Sequence, residues 1–331
     1  MSIDPLVDYL VTNGEIQKKT AIYYLKHIQF IYSEAETNWL TGFYAPILIV
    51  NHTKIIETIK NLQHVRQWNP RSIINYYKSL VKICKVFRNY YGESHTSAFD
   101  DALKEYQKIY VPLNNEDCTN RNEHKRTKAQ SENWKEWEEI LKDRDAQFEL
   151  IKDYDSSSEI STPQYTEVLS YVISCIYTIL PPRRILDYQH MRLCTTQADA
   201  NDTECNYYAQ KDKVFIFNVY KNAKGPQIIK VPKRLCKILN WYISEYHPYY
   251  KHKEITEYGK HYLILNHLGK QVLSSTITYC LNKVFKKKIS INMLRHIYIT
   301  CNLGEAIEKV DEAAKIMSHN SSTQKNYIIY N

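Results

Sequence analysis

The sequence predicts a mainly α-helical protein with one small β-hairpin, an α+β chain in two domains. Three observations predict it. Apolar residues recur every three or four positions through most of the chain, the period of helices with one buried face. Between residues 112 and 130 hydrophobic residues nearly vanish, which marks a polar linker between domains. Beyond it, two extended runs, Val214–Tyr220 and Ile228–Val231, flank the turn-like Lys221-Asn222-Ala223-Lys224-Gly225, the pattern of a hairpin. At 331 residues the chain fits two domains better than one.

The first domain, residues 1–111, reads as five helices. Asp4-Pro5 supplies an N-cap and a proline at the first helical position, and Gly14 stops that helix. Thr20–Tyr32 carries Ile22, Leu25, Ile28 and Ile31 at helical spacing, and a third run carries Ile55, Ile56, Ile59 and Leu62. Asn69-Pro70 opens a fourth helix with Ile73, Ile74, Tyr77, Leu80, Val81, Cys84 and Phe87 on one side, closed at Gly92. Phe99–Tyr110 is a shorter fifth. The linker, 112–130, includes Asn114-Asn115-Glu116-Asp117 and Thr119 to Arg126.

The second domain, residues 131–331, is mixed. Ser131 caps a helix carrying Trp134 and Trp137. Thr162–Leu180 is a strongly apolar helix ended by Pro181-Pro182. In the hairpin, Val214, Ile216 and Asn218 share one face. Helices are expected at Lys233–Glu245, Ser274–Lys286, Ile291–Cys301, Ala306–Met317 and Gln324–Tyr330. No internal repeat is visible.

Composition narrows the function. A formal charge of +8 favours a polyanionic partner. The 29 tyrosines beside 7 glycines fit an AT-rich coding sequence. Tyrosines can also stack on bases, but they fill cores equally well. None of the eight cysteines forms a CxxC pair, and no Cys/His spacing suits zinc. Acidic residues show no metal-nuclease spacing, so no metal and no other cofactor is expected. Met1–Gly14 holds two acids and no basic n-region, and no apolar run reaches the ~18–20 residues of a membrane span. The expectation is an intracellular protein without membrane attachment, in a compartment such as a host nucleus or a viral factory, with reduced, structural cysteines.

The chemistry concentrates near the C-terminus. Asn292-Met293-Leu294-Arg295-His296 is followed by Ser318-His319 and then Tyr327; far upstream stands Pro181-Pro182-Arg183-Arg184. Each feature alone is ordinary: a solvated helix start, a surface cation, a structural histidine, a packing tyrosine. Together they suit one task. A phosphodiester is a poor electrophile, and a protein can neutralise its non-bridging oxygens, supply an oxygen nucleophile and protonate the leaving 5′ oxygen. Guanidinium forks bind phosphate bidentately, and Arg184 and Arg295 are the candidates. Arg183 is a close rival. The Arg-x-x-Asp frame favours Arg184, because Asp187 could brace it from behind. The cluster Lys283, Lys286, Lys287 and Lys288 is either a solvated helix end or a set of backbone contacts to DNA, which would set register without reading sequence.

In the order arginine, hairpin lysine, Leu-Arg-His, Ser-His, tyrosine, the chain resembles the tyrosine recombinases, or phage-type integrases. The resemblance spans both domains and is most specific in the last forty residues. Within the family, the Pro-Pro-Arg-Arg turn and the Trp134–Trp137 segment are similar to recombinases of large DNA viruses and their mobile elements. The resemblance implies a helical core-binding domain and a mixed catalytic domain forming a C-shaped clamp on double-stranded DNA. It implies cleavage through a 3′-phosphotyrosine link with a free 5′ hydroxyl, without ATP or metal, in a homotetramer on two DNA sites. It makes Tyr327 the nucleophile, Arg184 and Arg295 the phosphate clamp, and Lys221 the general acid, with Lys224 as the alternative. A lysine acid works best if neighbouring cations lower its pKa. His319 would bond the phosphate or assist proton transfer. Arg183 and Lys224 are further candidate DNA contacts.

Two departures stand out. Asn292 occupies the usual place of a histidine; it can donate to phosphate but cannot act as acid or base. Ser318 replaces the usual glycine, and the tyrosine lies one residue closer to His319 than is common, so Tyr330 is a rival nucleophile. A type IB topoisomerase uses much the same residues, and a non-catalytic DNA-binding protein could share the fold.

Overall fold

The computed structural model describes residues 4–34, 49–88, 90, 92–122, 125–158, 160–221, 223–251 and 261–318. The chain divides into two compact units, Met1–Lys125 and Arg126–Asn331, each with its own hydrophobic core.

The first unit is helical: α1 (Asp4–Gly14), α2 (Lys18–Glu34), α3 (His52–Val65), α4 (Pro70–Phe87) and α5 (Glu93–Asn122). The helix α4 forms where the sequence predicts it. Asn69 Oδ1 accepts from Ser72 N at 2.9 Å, and Pro70 follows at the start. Its residues Ile73, Tyr77, Leu80, Cys84 and Phe87 are buried against α2 and α5. At Gly14 a Cβ would lie 3.2 Å from Val86 Cγ2, so glycine lets the end of α1 approach α4.

The segment expected to be a linker is helical over 112–122. The helix α5 runs 30 residues through Pro112, although proline removes one backbone donor and crowds the preceding turn. Its first half is anchored by Phe99, Ala102 and Tyr106 in the core. Its second half is tied to the start of α4 by an ion pair between Asp117 and Arg71. Polar composition there marks solvent exposure, not loss of helix.

The second unit opens with two helices where one was expected. Thr127, not Ser131, caps α6 (Lys128–Asn133): Gln130 N donates to Thr127 Oγ1 at 3.2 Å, and Thr127 N to Gln130 Oε1 at 2.8 Å. An extended break at Trp134 and Glu136 precedes α7 (Trp137–Ile151). The core is built on α8 (Thr162–Ile179), capped by Ser161 and ended before Pro181-Pro182. Its apolar residues are buried around the whole circumference, as a central helix requires.

After α9 (Ile185–Gln189) comes a four-stranded sheet in the order β1 (Met191–Cys194), β2 (Asn206–Ala209), β3 (Val214–Phe217), β4 (Gln227–Lys230). β1 and β2 are parallel; the other pairs are antiparallel. The expected hairpin is β3–β4, with Phe215 opposite Ile229 and Phe217 opposite Gln227. Phe215 and Phe217 face the main core, while Ile216 joins a small cluster with Cys194, Tyr207 and Ala209. Among the described residues three helices follow: α10 (Lys233–Glu245), α11 (Ser274–Phe285) and α12 (Ile291–Ile316). The two helices expected between Ile291 and Met317 are one in α12, which continues through Gly304. The expected helix Gln324–Tyr330 lies outside the described residues.

Candidate active site

Arg184 is the N-cap of α9, with extended backbone (φ −71°, ψ 154°). The two prolines before it end α8, so the chain leaves the core helix and restarts a short one at Ile185. Tyr188 of α9 is fully buried, ringed edge-on by Tyr177, Phe215 and Phe217 at centroid distances of 5.3, 5.5 and 5.6 Å. That packing fixes α9 to α8 and to the hairpin. The side chain of Arg184 is half-buried, and among the described residues it makes no hydrogen bond or ion pair.

Asp187 braces Arg183, not Arg184. Arg183 Nε donates to Asp187 Oδ2 at 2.9 Å, and Nη1 donates to Gln227 Oε1 at 3.1 Å. The Arg183 guanidinium also lies 3.8 Å from the Phe217 ring centroid and 5.6 Å from that of Tyr220. The physical reason is the break at the N-cap. The extended backbone of Arg184 carries its side chain away from the carboxylate three residues on, while Arg183 reaches back to it.

The hairpin turn carries the candidate acids. Lys221 and Lys224 are both exposed. Tyr220 organises the turn: its hydroxyl donates to Gly225 O at 2.9 Å and accepts from Lys224 N at 3.3 Å. Ala223 N donates to Tyr220 O at 3.2 Å. Gly225 has φ 127°, a conformation that favours glycine. Asn206, 3% exposed, ties the base of the turn to α9. Its Nδ2 donates to Asp187 O at 3.0 Å and to Val219 O at 2.9 Å, and its Oδ1 accepts from Val219 N at 2.8 Å. Neither Asn206 nor Gln227 was legible as a site residue. Both are ordinary amides in short strands, and only the fold puts them beside α9.

Arg295 sits in the second turn of α12. Ser290 caps that helix, accepting from Met293 N at 3.2 Å. Ile291, Leu294 and Ile297 belong to the same core as Tyr188 of α9, so one packed body supports both arginine-bearing elements. Arg295 is half-buried and its side chain, like that of Arg184, makes no hydrogen bond or ion pair among the described residues. Asn292 and His296 are exposed on the same helix.

The lysine cluster is partly engaged within the protein. Lys283 pairs with Glu167 at 3.3 Å, and Lys287 Nζ donates to Glu132 O at 2.7 Å, closing the end of α6. Lys286, in the left-handed conformation after α11 (φ 53°), and Lys288 are exposed. His319, Tyr327 and Tyr330 lie outside the described residues. Among the described residues there is no group of three or more His, Cys, Asp or Glu placed to hold a metal ion, and no helix is long and apolar enough to cross a membrane.

No protein-family model matches the chain, and no curated protein does. Among solved structures, the crystal structure of XerA recombinase matches at 13% identity and a TM-score of 0.27, over 100% of this chain and 95% of that one. A likeness at that TM-score carries no argument about this chain.

Proposed function

We propose that the protein is a site-specific DNA recombinase or integrase of the tyrosine type, which cleaves and rejoins DNA through a 3′-phosphotyrosine intermediate. The observation that carries this reading is the pair Arg184 and Arg295: two half-buried arginines, on elements sharing one core, whose side chains have no protein partner among the described residues. An arginine fork without a carboxylate partner is suited to an external oxyanion. The order of arginine, lysine, Leu-Arg-His, Ser-His and tyrosine along the sequence supplies the remaining groups.

The step balances without a cofactor. The Tyr327 oxygen bonds to phosphorus as the bond from phosphorus to the 5′ oxygen breaks. The phenol proton passes to His319 or to solvent, and Lys221 protonates the departing oxygen. Arg184 and Arg295 hold the charge that builds on the non-bridging oxygens, and Asn292 adds a hydrogen bond. Rejoining is the same step in reverse on a partner strand. On this reading the two units grip duplex DNA as a clamp, four copies act on two sites, and Lys286 and Lys288 meet the backbone.

Incubation with a suicide DNA substrate tests the reading, because a nicked product cannot be resealed. The expected result is a covalent protein–oligonucleotide adduct whose tryptic peptide contains Tyr327. A nuclease or a simple DNA binder leaves none. An adduct on Tyr330 would move the nucleophile. Relaxation of supercoiled plasmid by dilute protein, with no recombinant product from paired sites, would reclassify it as a topoisomerase.

A further inference from the structure

We infer that Arg183 and Asn206 are positioning residues that hold the β3–β4 turn, and Lys221 on it, in fixed register against the N-cap of α9 where Arg184 stands. The use made of the turn rests on the strand-transfer reading above; the two struts stand on geometry alone.

Both struts converge on Asp187. Its carboxylate, 6% exposed, takes Arg183; its carbonyl takes Asn206. Arg183 then reaches Gln227 at the start of β4 and stacks on Phe217 at the end of β3, so it grips both ends of the hairpin loop. Asn206 holds Val219 by both its N–H and its C=O. Between these anchors the Tyr220 hydroxyl closes the turn on Lys224 and Gly225. The Arg183 fork is therefore committed inside the protein on two sides and covered on one face. It is poorly placed to contact DNA, despite its position next to Arg184 and the expectation drawn from the sequence. The arrangement also requires arginine. A lysine ammonium is a point charge that could meet Asp187 or Gln227 but has no planar fork to join them and no face to lay on Phe217.

A general acid must sit within hydrogen-bond reach of the oxygen it protonates, and an exposed turn has no core to hold it there. The struts supply that constraint. Their loss should impair protonation of the leaving group while sparing the phosphate clamp.

The protein and its Arg183→Lys and Gln227→Ala variants provide the test, in two arms. In the first, hydrogen–deuterium exchange is measured without DNA. Exchange should rise in peptides covering 218–226 and stay unchanged in α8 and β1. Unchanged exchange across the turn would overturn the struts. In the second, cleavage is compared on ordinary DNA and on DNA carrying sulfur at the bridging 5′ position, which leaves as a thiolate and needs no proton. Arg183→Lys should slow ordinary cleavage by up to ~10²-fold and leave the sulfur substrate near wild type, as Lys221→Ala should. Equal slowing on both substrates would mean that Arg183 acts on the phosphate or on the fold, and the positioning role falls. If the wild-type protein forms no adduct with either DNA, the strand-transfer reading fails, and the exchange arm still decides the struts.

Discussion

At the scale of single residues, the contrast between neighbouring arginines carries the most information. Arg183 is consumed by Asp187, Gln227 and Phe217; Arg184 is left half-buried without a protein partner among the described residues. Sequence spacing alone favoured Arg184 for the phosphate but assigned it the wrong brace, because a residue frame does not reveal that the N-cap backbone is extended. Removal of Arg295 by Arg295→Ala should slow adduct formation by ~10²–10³-fold, the worth of one preorganised electrostatic group. Tyr327→Phe should abolish the adduct and leave duplex affinity, read by fluorescence anisotropy, nearly unchanged. A third residue-scale prediction concerns His247. It is fully buried, bonded through Nε2 to Tyr262 O at 2.9 Å, and accepts Tyr249 N at Nδ1 at 3.4 Å. Burial pushes its pKa down to about 4. The unfolded chain binds that proton near pH 6.5. Stability should therefore be full above pH 6.5 and fall by up to ~3 kcal/mol as pH drops toward about 4. Urea unfolding at pH 7.5 and 5 would show it, and His247→Gln should flatten the slope.

At the scale of elements, the sequence was most legible where a pattern was long. The helices α4, α8 and α10 and the hairpin β3–β4 lie close to their expected positions, because caps, prolines and apolar periodicity agree there. The strands β1 and β2 were invisible. Each is four residues long, and β2 is buried at every position, so it shows no alternation. The break expected between Cys301 and Ala306 is one that α12 does not make; Gly304 lies inside the helix, where glycine costs only ~1 kcal/mol relative to alanine. The turn after α11 yields a prediction of its own. Lys286 adopts φ 53° there, where a side chain is strained and glycine is not. Lys286→Gly should raise stability by ~0.5–1 kcal/mol in denaturant titration, the ~1–2 kcal/mol cost of a side chain in the left-handed region less glycine's ~0.5–1 kcal/mol entropic cost. If Lys286 also meets the DNA backbone, the same variant should lose affinity, so one substitution separates the two roles.

At the scale of the whole molecule, the net charge of +8 and the exposed lysines Lys221, Lys224, Lys286 and Lys288 set an expectation for binding. Affinity for duplex DNA should fall with added salt, with a log–log slope of about −0.9 for each phosphate neutralised. A titration between 50 and 200 mM salt measures it; a flat response would remove the backbone contacts from the proposal. Replacing Lys286 and Lys288 with alanine should make the slope shallower by up to about two.

The unbroken course of α12 acts as a ruler. Its 26 residues rise about 39 Å, which puts Ile316 roughly 32 Å along the axis from Arg295. The chain between Ile316 and Tyr327 spans at most about 38 Å when fully stretched. With the rod intact, the chain after Ile316 must run back along α12 to bring a tyrosine to the arginine of its own subunit, whereas the arginine of a neighbouring subunit can lie nearer the end of the rod. Mixing an Arg295→Ala protein with a Tyr327→Phe protein reads the difference. Recovered adduct means the phenol crosses between copies; a silent mixture means that it acts within its own subunit, by a return along α12 or by a bend in it, and Gly304 is where a bend would be cheapest.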